Sequence, residues 1–500
     1  MNRESPSDEM NRFLNDVKEQ IQYKPIRPEI EEEMKAHIED RTKEYMEMGL
    51  EEKEALHRAV EHMGDGSSIG IMMNEARHVK NYRPLSGMVL AAVLLGIAGN
   101  FTENRLTWSE GLPYGISVLI DNLYYFVWGL IVLTVIYHKG YTFMVKHSGF
   151  ILAGFVFTGL AAVLLSRFNI FFQDFLPIFG GILFSGHVLS FNWLLLAGPV
   201  LALAAYKWRR KGRTVIIVHM ALLLAMLLIQ YKCNHEFVLT ASLILMVTGM
   251  VNLFSLIMKG LIPGDKRNLI LCGLAGILVT LGIFGAVSLK EQERNIRMFL
   301  NPEQQADNHW QDGYNGVLMK DLLKKAELAG PIRLSKEELM HYGTGAWFFN
   351  QEEVDNITRY LNYDESEVTL EDILPQHYHN NYRFAFWILK YGWIPALVLI
   401  AFIISLYGLL FAVTKKINNK LGHILALSCS VCLSVQMVLY LFGNLGYQYG
   451  YFSTLPFISE GLCSITTNMV LVGIILSAYR YDSVIKEENY LNKVVKTGKT

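Results

Sequence analysis

Five hundred residues, 52% of them hydrophobic and only 18% charged, are too apolar for an ordinary soluble enzyme of this length. The net charge of −1 conceals a segregation: residues 1–80 carry 12 Lys and Arg against 19 Asp and Glu, and residues 290–383 carry 10 against 17, a net of −7 in each. With the basic excess left to short loops and the C-terminal tail, this pattern argues against nucleic acid as a partner.

The chain opens on a polar module. Ser5-Pro6 reads as an N-cap with proline at the first helical position. Phe13, Val17 and Ile21 then recur at i+4. A second helix is expected from Pro28, with Glu29, Glu31, Glu32 and Glu33 where the helix dipole favours acids, and with Gly49 closing it. A third is expected over 51–63, ended by Gly64, and a fourth from Ser67 or Ser68. The segment from Phe13 to Asp65 resembles the permease prefix domain of Gram-positive bacteria, which supplies context and no activity. Residues 1–83 are therefore expected to be a small cytosolic helical bundle, either a solvated stalk or a docking module for a cytosolic partner. No cleavable signal peptide is recognised, so the first membrane helix is expected to serve as the insertion signal.

Ten apolar runs follow, at 87–101, 115–137, 149–166, 188–206, 214–230, 237–258, 268–289, 384–413, 422–444 and 460–479. Most are long enough, at about 17–25 residues, to cross a bilayer as helices, and the short first run is expected to extend at one end. Phe175 to Gly186 is too short and too broken by glycine and proline to cross, and reads as a re-entrant or interfacial piece. Alternate short loops carry 13 Lys and Arg against 3 in the others. That bias predicts both termini in the cytoplasm and the 94-residue stretch 290–383 outside the cell membrane. The expected fold is an all-α polytopic membrane protein: a ten-helix domain over 84–480 with a large extracellular loop between helices 7 and 8, and a cytosolic tail over 481–500. Cys429 and Cys432 form a C-x-x-C inside an apolar run without further ligands, and read as packing residues.

Four strings then carry a resemblance. Leu455-Pro-Phe-Ile-Ser-Glu-Gly-Leu-Cys-Ser, with Asn468, is similar to LPFISYGGSS…N. Asn444-Leu-Gly stands where an N-I-G is found on the preceding helix. Phe299-Leu-Asn-Pro-Glu, then Asp307, then Gly313-Tyr314-Asn315, looks like FLNPE-x-D-P-x-G-x-GYQ. Leu374-Pro with His379-Asn-Asn-Tyr-Arg-Phe384 echoes LPE-x-HTDFIF. Together with the helix count and the position of the long loop, these resemble the SEDS family, the RodA, FtsW and SpoVE proteins of bacterial shape, division and sporulation.

The resemblance implies a peptidoglycan glycosyltransferase that polymerises lipid II, an undecaprenyl-linked precursor, on the outer face of the membrane beside a class B penicillin-binding protein. A sugar hydroxyl must lose a proton as it attacks, which suits a carboxylate, and a pyrophosphate must leave, which suits cations or a divalent metal. Asp307 matches the family's carboxylate, though its spacings to Pro302 and Gly313 depart from the pattern, so Asp312 stays as the alternative general base. Arg294 and Arg297 are expected at the end of the seventh helix, facing the pyrophosphate or anchoring the interface. Lys320, on an expected helix over 317–328, reads as a substrate contact or as part of a solvated face with Lys324 and Lys325. His379, Ser459 and Glu460 complete the candidate substrate surface by their places in the strings. No cofactor is assigned; a divalent cation, Mg or Mn, is left open, because His377 and His379 lack a third ligand at fixed spacing.

Three departures point the other way. His379-Asn380-Asn381 lacks the family's carboxylate, Glu460 replaces an aromatic ring, and Gln230-Tyr-Lys-Cys-Asn-His235 replaces Q-P-D-L-G-T. They support a catalytically weakened scaffold for a penicillin-binding protein or divisome complex as the second reading. A lipid-linked precursor transporter comes third, because the central spans hold no Asp, Glu, Lys or Arg at mid-depth.

Overall fold

The structure, a computed structural model, describes residues 6–104, 112–167, 186–233, 238–300, 312–343, 369–375, 378–447, 455–458 and 461–485. It divides into two units, residues 1–81 with the segment from 479 onward, and residues 82–478.

The first unit is a helical bundle of α1 (Pro6–Gln20), α2 (Arg27–Glu47), α3 (Glu52–Met63) and α4 (Gly66–Ala76). Its core is the set the i+4 spacing picks out, Phe13, Val17, Ile21, Ile30, Met34 and Ile38, joined by Ala55, Ala59 and Val60. Asp65 caps α4: the backbone N–H and hydroxyl of Ser68 both donate to its carboxylate, which holds it below the ordinary carboxylate range. Arg77 is buried between Glu33, at 2.8 Å, and Glu29, at 3.7 Å. The first residues of the expected tail are not free. Tyr481 and Val484 are buried, the Asp482 carboxylate pairs with Lys80 at 2.8 Å, and the Ser483 hydroxyl donates to the carbonyl of His78. Residues 486–500 lie outside the described residues.

The second unit holds α5 (Arg83–Asn104), α6 (Leu112–Lys146), α7 (Ser148–Arg167), α8 (Gly186–Lys207), α9 (Arg213–Cys233), α10 (Val238–Met258) and α11 (Lys266–Val287). After the loop come α18 (Trp393–Lys415), α19 (Lys420–Asn444) and α20 (Leu462–Arg480). Within these, seven stretches of the described residues are long and apolar enough to cross a membrane, from Leu123–Lys146 to Leu462–Arg480. Arg83–Gly99, Ser148–Ala161 and Trp193–Lys207 are shorter apolar stretches. Among the described residues there is no strand. The chain is an all-helical, multi-pass membrane protein. The Phe175–Gly186 piece falls, up to residue 185, outside the described residues.

The centre of this unit is where α8, α10 and α19 meet. Asn252 of α10 donates to the carbonyl of Gly198 on α8 at 3.0 Å and to the Ser428 hydroxyl on α19 at 3.2 Å. In a medium without water, such internal partners are how a buried amide is tolerated. Cys429 and Cys432 are both buried on α19, and the Cys432 thiol donates to the carbonyl of Leu195.

Two expected spans break where the long loop begins and ends. The seventh ends at Val287: the Ser288 hydroxyl turns back to the Phe284 carbonyl at 2.7 Å, and a separate amphipathic helix, α12 (Leu289–Leu300), follows. The eighth, expected over 384–413, is split at Gly392 (φ +92°) into α17 (Arg383–Tyr391) and α18. A break of this kind strands backbone groups on both sides. Here residues 327–332 satisfy them. Gly330 and Ile332 donate to the carbonyls of Tyr391 and Leu389, and the carbonyls of Glu327 and Leu328 accept from Trp393 and Ile394.

Candidate active site

The loop contributes α13 (Asp312–Lys325), α14 (Lys336–Gly343), α15 (Leu370–Ile373) and α16 (Tyr378–Asn381) before α17. Between α13 and α14 the Tyr342 hydroxyl donates to Asp321, and Lys325 bonds Glu338 at 3.1 Å. Burial and then the Asp321 bond raise the Tyr342 hydroxyl above its ordinary value, while the Ser335 backbone N–H and then Lys325 hold Glu338 below the carboxylate range. This is a fixed polar scaffold for the loop.

The four strings, scattered over 170 residues of sequence, meet around the end of α19. Asn444 is fully buried there. Its Nδ2 donates to the carbonyls of Asn381, at 2.9 Å, and Tyr440, while its Oδ1 accepts from the N–H of Ala385 at 3.0 Å. It therefore caps α17 from a distant helix, satisfying a first-turn N–H that α17 cannot. The Tyr440 hydroxyl takes a second such N–H, from Phe384. Two residues on, Gly446 (φ +82°) lets the chain press against α13: a Cβ there would lie 2.5 Å from both the Gly316 carbonyl and the Lys320 Cγ. Tyr447 then receives the Lys320 ammonium over its ring at 4.3 Å, and the Phe299 ring lies 6.1 Å away.

The fourth string joins through Arg383. This arginine is fully buried, and its Nη1 donates to the carbonyl of Ile458 at 2.6 Å. In that turn Phe457 adopts φ +68°, the one non-glycine residue at positive φ among the described residues. A bulky residue held there is strained unless its surroundings over-determine it.

The expected site residues divide as follows. Arg294 and Arg297 sit on α12 rather than on the seventh span. Arg297 pairs with Glu293 as an exposed i,i+4 bridge, whereas Arg294 lies 3.8 Å from Glu291 with its Nε buried and without a hydrogen-bond partner among the described residues. Lys320 belongs to the assembled site, and its neighbours Lys324 and Lys325 pair with Asp321 and Glu338. Asp312 opens α13 and His379 lies in α16; nothing further of their side chains is described. Asp307, Ser459 and Glu460 lie outside the described residues, as does His377. No group of three metal-ligating side chains comes together among the described residues.

Sequence reasoning quoted Asn444 and Arg383 only as motif letters and missed His219. Arg383 had a signal: it stands where the string HTDFIF has isoleucine. His219 lies inside the fifth apolar run, buried, with its Nε2 donating to the carbonyl of Gly249 at 3.0 Å. Its signal was its polarity within that run.

The fold thus defines a helical membrane protein whose long-loop end is a packed polar assembly. Residues 365–484 match the model of the cell cycle protein family of FtsW, RodA and SpoVE. Over this C-terminal segment the chain is similar to that family, the SEDS proteins. Two solved structures are similar over 80% of this chain and 98% of their own. One, 16% identical with a TM-score of 0.48, comes from a study of polymerization and crosslinking by a peptidoglycan synthase complex. The other, 14% identical with a TM-score of 0.38, is a mutant of the rod shape determining protein RodA from Thermus thermophilus. No curated protein matches the chain.

Proposed function

We propose that this protein acts in peptidoglycan synthesis, as a glycosyltransferase that polymerises lipid II on the outer face of the cytoplasmic membrane. The observation that supports this reading is the convergence of the four family-like strings at one end of the helix domain, through Asn444, Tyr447, Lys320 and Arg383. Strings kept only by chance would have no reason to be in contact. In this reading both termini are cytoplasmic, as the Lys and Arg bias of the short loops supports. Asp307 takes the proton from the attacking sugar hydroxyl as the new bond forms at the anomeric carbon, and the pyrophosphate leaves with the departing lipid. Arg294 and Lys320 are the cations offered to that growing charge. The partner is a class B penicillin-binding protein.

The test is reconstitution. Purified chain with its penicillin-binding protein is expected to convert lipid II to glycan polymer, and polymer formation without the chain would count against it. The missing carboxylate at Asn381 favours a second reading, a scaffold for the same partner. A stable complex that yields no polymer would select it.

A further inference from the structure

Arg383 does something that helix packing alone does not require. A guanidinium is costly to bury, yet this one lies fully inside the protein. Three elements close around it. From the turn, the Ile458 carbonyl accepts its Nη1 at 2.6 Å. From its own helix, the Trp387 ring lies 5.5 Å from the guanidinium carbon. From α5, the backbone approaches so closely that a Cβ on Gly99 would stand 2.6 Å from the Trp387 ring and 3.4 Å from Nη2. A Cβ on Gly96 would stand 2.8 Å from the same Ile458 carbonyl. One backbone oxygen is thus pinned between α5 and α17, beside Phe457, whose φ of +68° needs holding.

We infer that Arg383 is a positioning residue: it locks the Leu455–Ile458 turn in its strained form, and so fixes the start of the segment that runs on into α20. The functional half of this inference rests on the glycosyl-transfer reading above, in which Ser459 and Glu460 follow the turn as substrate contacts. Arg383 touches no substrate itself. It acts through the carbonyl of Ile458, so its loss should affect turnover more than the affinity for lipid II.

The experiment compares the full chain with Arg383→Met and Arg383→Lys, each purified with the penicillin-binding partner. Backbone hydrogen exchange is read for peptides within 455–465 and within α8, α10 and α19. For Arg383→Met we expect exchange about tenfold faster in 455–465 and unchanged in the three central helices. We also expect kcat on lipid II to fall by about tenfold or more with KM within about twofold, since small misplacements cost that much. Arg383→Lys, which keeps a cationic donor, should recover part of both. Should Arg383→Met not fold, Arg383→Lys alone carries the test, with locally faster exchange expected in 455–465. Unchanged exchange in 455–465, or exchange raised equally through α10 and α19, overturns the inference. If the unaltered protein makes no polymer, the exchange result still decides the clamp, and it is the glycosyl-transfer reading that fails.

Discussion

The helices α19 and α20 differ in kind from α6 and α11, although all four are apolar enough to span a membrane. In α19 and α20, 61% and 67% of the most apolar stretch is buried inside the protein, against 17% and 22% in α6 and α11. The buried pair carries buried polar side chains, Ser428, Gln436 and Asn444 on α19 and Thr467, Asn468 and Ser477 on α20. The exposed face of α11 carries Leu271, Leu274, Leu278, Leu281 and Ile283. Hydropathy makes both kinds of helix. Only the buried kind needs particular letters, because a polar group inside must find one particular partner while a leucine in lipid needs none.

The difference can be broken by mutation, and the largest effect is expected at Asn444. Asn444→Ala removes one acceptor and two donated bonds and leaves the Ala385 N–H and the Asn381 carbonyl buried without it. Unfolding in mild detergent should become easier by about 3 kcal/mol, the cost of stranding such groups. Next comes Gly392→Ala. Its Cβ would stand 2.6 Å from the Ala329 Cα at a backbone conformation that L side chains rarely adopt. A loss of about 2 kcal/mol is expected, with faster hydrogen exchange at Gly330 and Ile332. The smallest effect belongs to the lipid-facing side: Leu278→Ala, at a residue 70% exposed, should stay within about 0.5 kcal/mol. A Leu278 effect as large as that of Asn444 would show that α11 packs against something, and the contrast drawn here would fall.

The same contrast explains how much was legible in the sequence. The bundle core of Phe13, Val17, Ile21 and Ile38 was written in i+4 spacing and the end of α3 in Gly64, whereas α4 starts at Gly66 under an Asp65 cap rather than at Ser67 or Ser68. The apolar runs gave most helices of the second unit to within a few residues, but α6, expected to end at 137, runs on to Lys146. The splits at Ser288 and Gly392 were not legible, because the groups that stabilise them are local side-chain bonds and the distant segment 327–332. The site was half legible. Strings located Asn444 and the Leu455–Ile458 turn, but no string says that the Asn444 amide caps a helix some 60 residues away, nor that Arg383 is turned inward to Ile458. A buried arginine looks the same in sequence as an interfacial anchor. Arg297, read as a pyrophosphate contact or an interfacial anchor, forms an exposed i,i+4 pair with Glu293.

The most direct test of the account is lipid II polymerisation by the purified protein and its penicillin-binding partner, before and after Asp307→Asn, with Asp312→Asn as the control. Asp307→Asn keeps the shape of the side chain and removes its ability to accept a proton. The account predicts a rate lower by about 10²–10⁴, with the protein still folded and still bound to its partner, and only a mild loss for Asp312→Asn. Equal polymerisation by the unaltered protein and Asp307→Asn would contradict it.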